Sequence, residues 1–298
     1  MKILLKKLIL SLCLVMLSSI QTMQLPEESV ECSAHSIQAM PANSIDNALT
    51  HAVIKGQSAQ VAELLKARAN PNHLTEYGSS MLIKTALYKD THYTEITAYL
   101  LQHGARVGHK NKHGMNPLMI ACKEGHADTV SLLLAYCKPE DISAVNNQGE
   151  TSLMLAAASG NPILISLLAA YPLEIEKTNN YGETALIYWL ENPQAHPDGL
   201  KKLLALQAQA DVCDRYNNTA LSLAVQNHEP AITLSLLKNL DTLALHRVDQ
   251  LLKNSDGYTF LEELTFCKKN PKLHRVFIES FIKNRLKVIE TNSHIKLL

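Results

Sequence analysis

Apolar and polar positions alternate along this chain in blocks that return at a nearly constant interval. Each apolar block opens with a leucine that lies four residues after a turn position, usually a glycine, and continues with small and aliphatic side chains at helical spacing. The pairs are Gly78 with Leu82, Gly114 with Leu118, Gly149 with Leu153, Gly182 with Leu186, Asn217 with Leu221 and Gly257 with Leu261. The first four glycines are separated by 36, 35 and 33 residues. A period of this length predicts a repeat array in which each unit packs on its neighbours.

Each period predicts two helices that follow a turn. In the unit around Gly114, Pro117 falls at a first helical position, where the missing N–H of proline costs nothing. Leu118 and Ala121 then lie on one helical face, and Gly125 is placed to end the helix. A second helix is expected over residues 129–134, with leucines that fill the space between units.

The recurring positions resemble those of the ankyrin repeat. That family combines a hairpin turn containing Gly, a Thr-Pro-Leu helix start, paired Ala residues, a Gly stop and a leucine-rich second helix. One unit carries most of these positions, namely Gly149, Thr151, Leu153, Ala156, Ala157 and Gly160. The resemblance extends over residues 44–285 and implies an all-α solenoid of stacked helix-turn-helix units with β-hairpin-type turns.

The predicted organisation has a leader, a linker, the array and a tail. The boundaries are 1–19 for a signal peptide or anchor, 20–43 for a flexible linker, 44–285 for the array and 286–298 for a basic tail. Units are expected near 44–74, 75–110, 111–145, 146–178, 179–213, 214–252 and 253–285. The fifth unit departs from the pattern, because Trp189 occupies an Ala position and prolines at 193 and 197 should distort its first helix.

The leader has the order of a secretory signal peptide. Three lysines precede an apolar stretch over residues 8–17, and two small serines follow it. The stretch is shorter than the roughly 20 residues that span a bilayer. We expect an exported protein that is periplasmic, secreted or envelope-associated. The alternative is a membrane-tethered scaffold that retains residues 8–17 as an anchor, and only in that case do we expect membrane contact.

Charge and cysteine content narrow the class of protein. The 298 residues include 28 basic and 28 acidic side chains, and a net charge of zero argues against a general nucleic-acid binder. Five cysteines follow the leader at irregular spacing, and this odd number predicts free thiols. The chain from Cys267 onward holds eight basic and two acidic residues. That basic end fits an acidic partner or an anionic lipid surface, but it is more typical of the polar outer face of a terminal repeat.

The sequence contains none of three common catalytic motifs: a Gly-rich phosphate loop, Gly-x-Ser-x-Gly and His-Glu-x-x-His. Cys122 and His126 are four residues apart, but they fall in framework positions of the repeat with no third ligand nearby. We therefore predict no catalytic residue, no cofactor, no metal and no small-molecule substrate. The alternative is an enzyme whose site lies in the irregular fifth unit or in the insertion at 239–253. A pocket around Tyr188, Trp189 and His196 would favour it.

The resemblance implies a monomer whose concave face, formed by hairpin tips and first helices, binds another protein of unknown identity. In four of five units the residue before the turn position carries an aromatic or imidazole ring. Tyrosine is a favoured interface anchor, although a solvent-facing tip also accepts most residues. The candidate binding residues are Tyr77, His113, Gln148, Tyr181 and Tyr216 at the tips, and Lys123, Glu124 and Tyr188 on first helices. Proteins with both a signal peptide and such repeats resemble those of bacteria that live with eukaryotic hosts, which suggests an exported host-interaction protein.

Overall fold

Helices and short turns alternate through the described part of the chain. The computed structural model describes residues 42–75, 77–192, 197–216, 218–227, 232, 235 and 236. The predicted leader, most of the linker, the 239–253 insertion, the seventh unit and the basic tail lie outside these residues. No helix in the described ranges combines the length and apolar character needed to cross a membrane.

Apart from the short additional helix at Pro139–Ile142, the helices follow one another in pairs, as the period predicts. Their bounds are α1 Ala42–Ile54, α2 Ser58–Lys66, α3 Met81–Thr85, α4 Thr91–Gln102, α5 Pro117–Lys123, α6 Ala127–Tyr136, α7 Pro139–Ile142, α8 Ser152–Ala158, α9 Pro162–Leu168, α10 Ala185–Glu191, α11 Pro197–Ala205 and α12 Ala220–Gln226. Helix α1 already includes Ala42 and Asn43, which the sequence analysis gave to the linker. Pro117 occupies the first turn of α5, as predicted.

In four repeats, the first helix begins where a short polar side chain caps it. The cap lies two residues after the turn glycine, and its side-chain oxygen accepts the N–H three residues further on. The distances are 3.4 Å for Ser80, 2.9 Å for Asn116, 3.2 Å for Thr151 and 3.4 Å for Thr184. A cap of this kind stabilises a helix by about 1 kcal/mol, which explains the constant starting position.

The described residues divide into two compact parts, each of which contains several repeats. We call these two parts unit 1 and unit 2. Unit 1 comprises the described residues up to Ser159 together with residues 166–173, and unit 2 comprises Gly160–Ile165 and the described residues from Glu174 onward. Inside unit 1 the first helices contact one another in the order α1, α3, α5, α8, and the second helices in the order α2, α4, α6. Leu64, Leu100 and Leu133 of the second helices are at most 1% exposed. Within unit 1 the predicted stacking of helix pairs is therefore confirmed.

Unit 2 contains the irregular fifth repeat. Helix α10 contacts both α11 and α12, and its Trp189 is 1% exposed. The expected distortion of this helix was wrong, because α10 keeps seven residues, as α5 and α8 do. The reason is that α10 ends at Glu191 and Asn192 is already extended (φ −87°, ψ 108°), the conformation that a following proline favours.

The turns between repeats are hairpin-like without forming a sheet. Isolated antiparallel bridges join Leu74 to Ser80, Val145 to Thr151 and Cys213 to Thr219. The described part of the chain is otherwise helical or irregular, which confirms the all-α fold with β-hairpin-type turns.

Candidate functional site

Four hairpin turns are built around one side-chain oxygen each. The oxygen belongs to an Asn or Asp two residues before the tip residue, and it accepts the backbone N–H groups two and four residues further on, the first of which is that of the tip residue. These residues are Asn111, Asn146, Asn179 and Asp214, with N···O distances from 2.8 to 3.0 Å. Such a bond fixes a turn through its own side chain. Sequence reasoning missed this feature, although the constant spacing of Asn or Asp before the tip was visible.

Neighbouring tips are joined by backbone hydrogen bonds inside each unit. In unit 1, Asn147 N–H donates to the carbonyl oxygen of His113 at 3.1 Å, and in unit 2, Arg215 N–H donates to that of Tyr181 at 2.9 Å. The glycine that follows each of these tip residues approaches the next turn closely. A Cβ on Gly114, whose φ is +75°, would lie 2.8 Å from the backbone nitrogen of Asn147. This position therefore needs glycine both for its backbone conformation and for space.

The residue before the turn glycine has its backbone engaged and its side chain displayed. The N–H groups of His113, Gln148, Tyr181 and Tyr216 donate to the turn oxygens. Of the predicted tip residues, Tyr77 is 75% exposed, Tyr216 57% and Tyr181 44%, and His113 and Gln148 are exposed as well. The guanidinium carbon of Arg215 lies 5.7 Å from the ring centre of Tyr181. Tyr77 and Tyr216 thus offer more free ring surface than Tyr181.

The candidates on the first helices occupy two different environments. Lys123 and Glu124 are exposed at the end of α5. Tyr188 on α10 is half-buried, and its hydroxyl oxygen accepts a 2.9 Å hydrogen bond from Nδ2 of Asn179. Tyr188 therefore supports the turn of its own repeat.

A groove of about 560 Å³ lies in unit 1 between α1, the following hairpin and α3. We call it the α1 groove. Its lining residues are Asn47, Thr50, His51 and Ile54 from one face of α1, His73, Leu74, Thr75 and Tyr77 from the hairpin, and Lys84 from α3. The sequence analysis found Tyr77 but missed the rest, because α1 lacks a preceding turn glycine that would have marked its exposed face.

The α1 groove combines exposed apolar side chains with basic groups. Ile54 is 47% exposed and Leu74 42%. His73 Nδ1 lies 3.8 Å from Oδ2 of Asp46, a carboxylate outside the lining whose Oδ1 accepts the N–H of Asn70. The Lys84 ammonium makes no ion pair with any described residue. Among its described lining residues, the groove thus presents Lys84, His51 and His73 beside an apolar surface.

The nucleophilic and metal-binding candidates are part of the packing. Burial raises the pKa of the Cys122 thiol far above its usual value, and burial together with the Asp141 carboxylate raises the pKa of Cys137 to about 12. His126 is buried, with Nδ1 3.0 Å from the carbonyl oxygen of Ala86. Cys122, Cys137 and Cys213 are free thiols. Among the described residues, no three His, Cys, Asp or Glu side chains come together as metal ligands.

Two acidic side chains in unit 2 have raised pKa values, in part because other carboxylates lie nearby. Partial burial and the nearby carboxylates of Glu183 and Asp214 raise the pKa of Glu191. The pKa of Glu176 is also raised by partial burial, against the lowering effect of a 2.9 Å bond from Gln209 N–H. Trp189, which the enzyme alternative placed in a pocket, is core: a side chain on Gly199 would overlap its six-membered ring. His196 lies outside the described residues.

A family model and several similar proteins all indicate the same kind of repeat. Residues 49–144 and 153–244 match a family model described as ankyrin repeats in three copies. The chain is 29% identical over 121 residues to the Caenorhabditis elegans protein named ankyrin repeat and KH domain-containing protein mask-1, which is 41% of this chain and 4% of that protein. It is 34% identical over 91 residues to the human and mouse ankyrin repeat domain-containing protein 63, which is 29% of this chain and 23% of each.

The matched segments thus span less than a quarter of these relatives. The family model, by contrast, covers well over half of this chain. The chain belongs to the ankyrin repeat family, whose repeats are protein–protein interaction modules.

Proposed function

We propose that this chain is a non-enzymatic scaffold or adaptor that binds a protein partner through its hairpin tips and the adjoining ends of its first helices. The observation that carries the proposal is the exposure of the tip side chains while their backbone groups are engaged. The turn that fixes the backbone of Tyr216 holds a large apolar ring ready for contact, and the ring of Tyr77 is displayed to an even greater extent. Such a ring loses little rotamer freedom when it is buried by a partner.

The environments of two cysteines and of the single tryptophan support the non-enzymatic part of the proposal. The raised thiol pKa values of Cys122 and Cys137 make both residues poor nucleophiles near neutral pH. The ring of Trp189 is packed against α11 and is unavailable as the wall of an active site.

Capture of partners by single-residue variants tests the proposal. The full chain would be compared with Tyr77→Ala in unit 1 and Tyr216→Ala in unit 2, by quantitative pulldown or proximity labelling. Tyr136→Ala is the matched control, because Tyr136 is 44% exposed on the second helix α6. We expect the tip variants to lose specific partners that the control retains. Equal capture by all three variants would overturn the proposal.

We also propose that the protein acts outside the cytoplasm that makes it, in contact with host proteins. Residues 1–19 have the signal-peptide order described above. N-terminal sequencing of the mature protein tests this: a start near residue 20 is expected, whereas retention of residues 8–17 in a membrane fraction would favour the tethered scaffold.

A further inference from the structure

We infer that Glu176 and the loop after α11 form a clamp between two neighbouring repeats of unit 2, and that acid strengthens this clamp. One carboxylate oxygen already holds a hydrogen bond across the repeats, and a proton taken up on the other oxygen supplies a second. The inference goes beyond the proposed function, because it concerns how firmly the repeats are held together and not what they bind.

The equivalent position in unit 1 carries a complete clamp. Asn72 lies six residues before the turn glycine Gly78, and its side-chain amide bonds to the loop after α4 at two points. Its Oδ1 accepts the N–H of Arg106 at 2.8 Å, and its Nδ2 donates to the carbonyl oxygen of Gly104 at 3.1 Å. The amide makes both bonds because it carries an acceptor and a donor side by side.

Glu176 makes only the first of these two bonds with the described residues. It lies six residues before Gly182, and its Oε1 accepts the N–H of Gln209 at 2.9 Å. Its Oε2 is buried and has no hydrogen-bond partner in the part of the chain that the structure describes. An ionised carboxylate has no donor, so it cannot bond to a carbonyl oxygen as the Asn72 amide does. A protonated carboxyl group has one donor, and it then matches the amide.

The carbonyl group that completes the clamp in unit 1 has a counterpart in unit 2. Gly104 follows α4 and Gln207 follows α11, and both have a positive φ, +84° and +66°. The N–H of Gly104 donates to the carbonyl oxygen of Leu101 at 3.1 Å, and that of Gln207 donates to Leu204 at 2.9 Å. The two loops thus share one backbone conformation. The carbonyl oxygen of Gln207 is therefore the acceptor that we assign to the protonated carboxyl group.

The surroundings of Glu176 favour uptake of the proton. Partial burial raises its pKa, the bond from Gln209 N–H opposes this rise, and the carboxylate of Asp211 in the same loop adds to it. Helix α9 carries no titratable side chain. The described basic groups of the adjoining elements have other partners: Lys177 is paired with Glu174 at 2.8 Å, Lys201 with Asp198 at 3.0 Å and Lys202 with the carbonyl oxygen of Pro162 at 3.0 Å.

Acidification should therefore strengthen the clamp. The folded state holds the proton on Glu176 more tightly than the unfolded chain does, so the stabilisation is fully present below the ordinary pKa of 4.5 and is lost as the pH rises through the folded-state pKa. Glu176 and Gln209 precede the tips at Tyr181 and Tyr216 by five and seven residues. The clamp thus ties together the two segments that lead into these tips.

Urea unfolding of the full chain at pH 4, 5, 6 and 7, followed by Trp189 fluorescence, tests this inference. Glu176→Gln has the same shape as the wild type and carries the acceptor and donor of Asn72 at every pH. Glu176→Ala removes both bonds. Glu174→Gln is the matched control, because Glu174 is an exposed carboxylate two residues away. All variants retain Glu191, so its own pH dependence cancels in the comparison.

The expected result is a difference between Glu176→Gln and the wild type that depends on pH. At pH 7 the unfolding equilibrium constant of Glu176→Gln should be about threefold smaller than that of the wild type, a modest factor because solvent screens a half-buried group. At pH 4 the two constants should be equal, since the wild type is then protonated. Glu176→Ala should unfold about threefold more readily than the wild type at pH 4. Glu174→Gln should show no gain at pH 7.

Three results would overturn the inference. Equal stability of Glu176→Gln and the wild type at pH 7 would show that the missing donor costs nothing. A gain by Glu176→Gln that persists at pH 4 would show that ionisation is not its cause. Equal stability of Glu176→Ala and the wild type at pH 4 would show that the protonated carboxyl group makes no second bond. None of these results bears on partner capture, which tests the proposed function separately.

Discussion

The backbone N–H of Asn147 donates a 3.1 Å hydrogen bond to the carbonyl oxygen of His113, one repeat earlier. The same relationship joins Arg215 to Tyr181 in unit 2 at 2.9 Å. Within each unit, the carbonyl oxygen at one hairpin tip thus accepts a hydrogen bond from a backbone N–H of the next hairpin turn. The bond uses the polar backbone of the tip and leaves its side chain exposed.

Asn179 organises the turn of the fifth repeat. Its Oδ1 accepts the N–H groups of Tyr181 and Glu183 at 2.8 and 3.0 Å, and its Nδ2 donates to Glu183 Oε2 and to Tyr188. We expect Asn179→Ala to destabilise unit 2 by about 2–3 kcal/mol, because several partly buried partners lose their bonds at once. Urea unfolding followed by the fluorescence of Trp189, the single tryptophan of the sequence, measures this. The double variant Asn179→Asp with Glu183→Asn keeps the two acceptor bonds and reproduces the Asp214–Asn218 pair of the next turn, so it should cost less. An equal cost would show that the turn oxygen is unimportant.

A comparison of Gly114 with Gly78 distinguishes the free-energy cost of backbone strain from that of steric crowding. Both have a positive φ, +75° and +69°, but a Cβ on Gly78 would meet nothing within 4 Å, whereas one on Gly114 would collide with the backbone of Asn147. We expect Gly78→Ala to cost about 1 kcal/mol and Gly114→Ala at least about 2 kcal/mol. Thermal unfolding by circular dichroism gives both values. Equal costs would contradict the close approach of neighbouring tips.

Trp189 and Gly199 form a complementary pair in unit 2. An alanine is normally better than glycine inside a helix by about 1 kcal/mol, yet here its methyl would overlap the Trp189 ring. We therefore expect Gly199→Ala to destabilise the wild type by about 1–3 kcal/mol but to stabilise a Trp189→Ala background. Chemical denaturation monitored by circular dichroism completes this double-mutant cycle. Additive effects of the two substitutions would show that the ring does not lie on the α11 backbone.

Glu191 links the stability of unit 2 to pH. Its pKa is raised above the ordinary value of 4.5 by partial burial, Glu183 and Asp214, so the folded state disfavours its charged form. The resulting cost is absent below pH 4.5, grows as pH rises toward the folded-state pKa and is complete above it.

We therefore expect Glu191→Gln to stabilise unit 2 at pH 7 by no more than about 0.5 kcal/mol, because solvent screens this partly exposed group. The gain should vanish near pH 4. Trp189 fluorescence during urea unfolding at both pH values measures it, and Glu140→Gln, an exposed carboxyl of unit 1, serves as the control. A gain that persists at pH 4 would point to a cause other than ionisation.

Much of the fold was predictable, because the residues that pack in the core recur at fixed positions in the sequence of each repeat. Leu118 and Leu153 lie at the same place in successive units, and both are buried at the same helix position. The first helix of the fifth repeat differs from the prediction, because Pro193 comes after the end of α10 in the sequence and only requires an extended Asn192.

The candidate surface was predictable in part. Exposure at Tyr77 and Tyr216 follows from their place beside the turn position, which the sequence shows. The contribution of Leu74 and Lys84 to a groove depends on how the hairpin packs beside α1, a tertiary relationship without a local signal. Tyr188 looked like a surface anchor because nothing in its own helix reveals the long-range bond from Asn179.

Hydrogen–deuterium exchange of the full chain, free and bound to a captured partner, tests the central claim most directly. In whichever unit the partner binds, we predict protection of the hairpin tips and first-helix ends, over residues 77–88 and 112–125 in unit 1 or 181–191 and 214–226 in unit 2. Protection confined to the second helices, α4 and α6 in unit 1 or α11 in unit 2, would contradict the account.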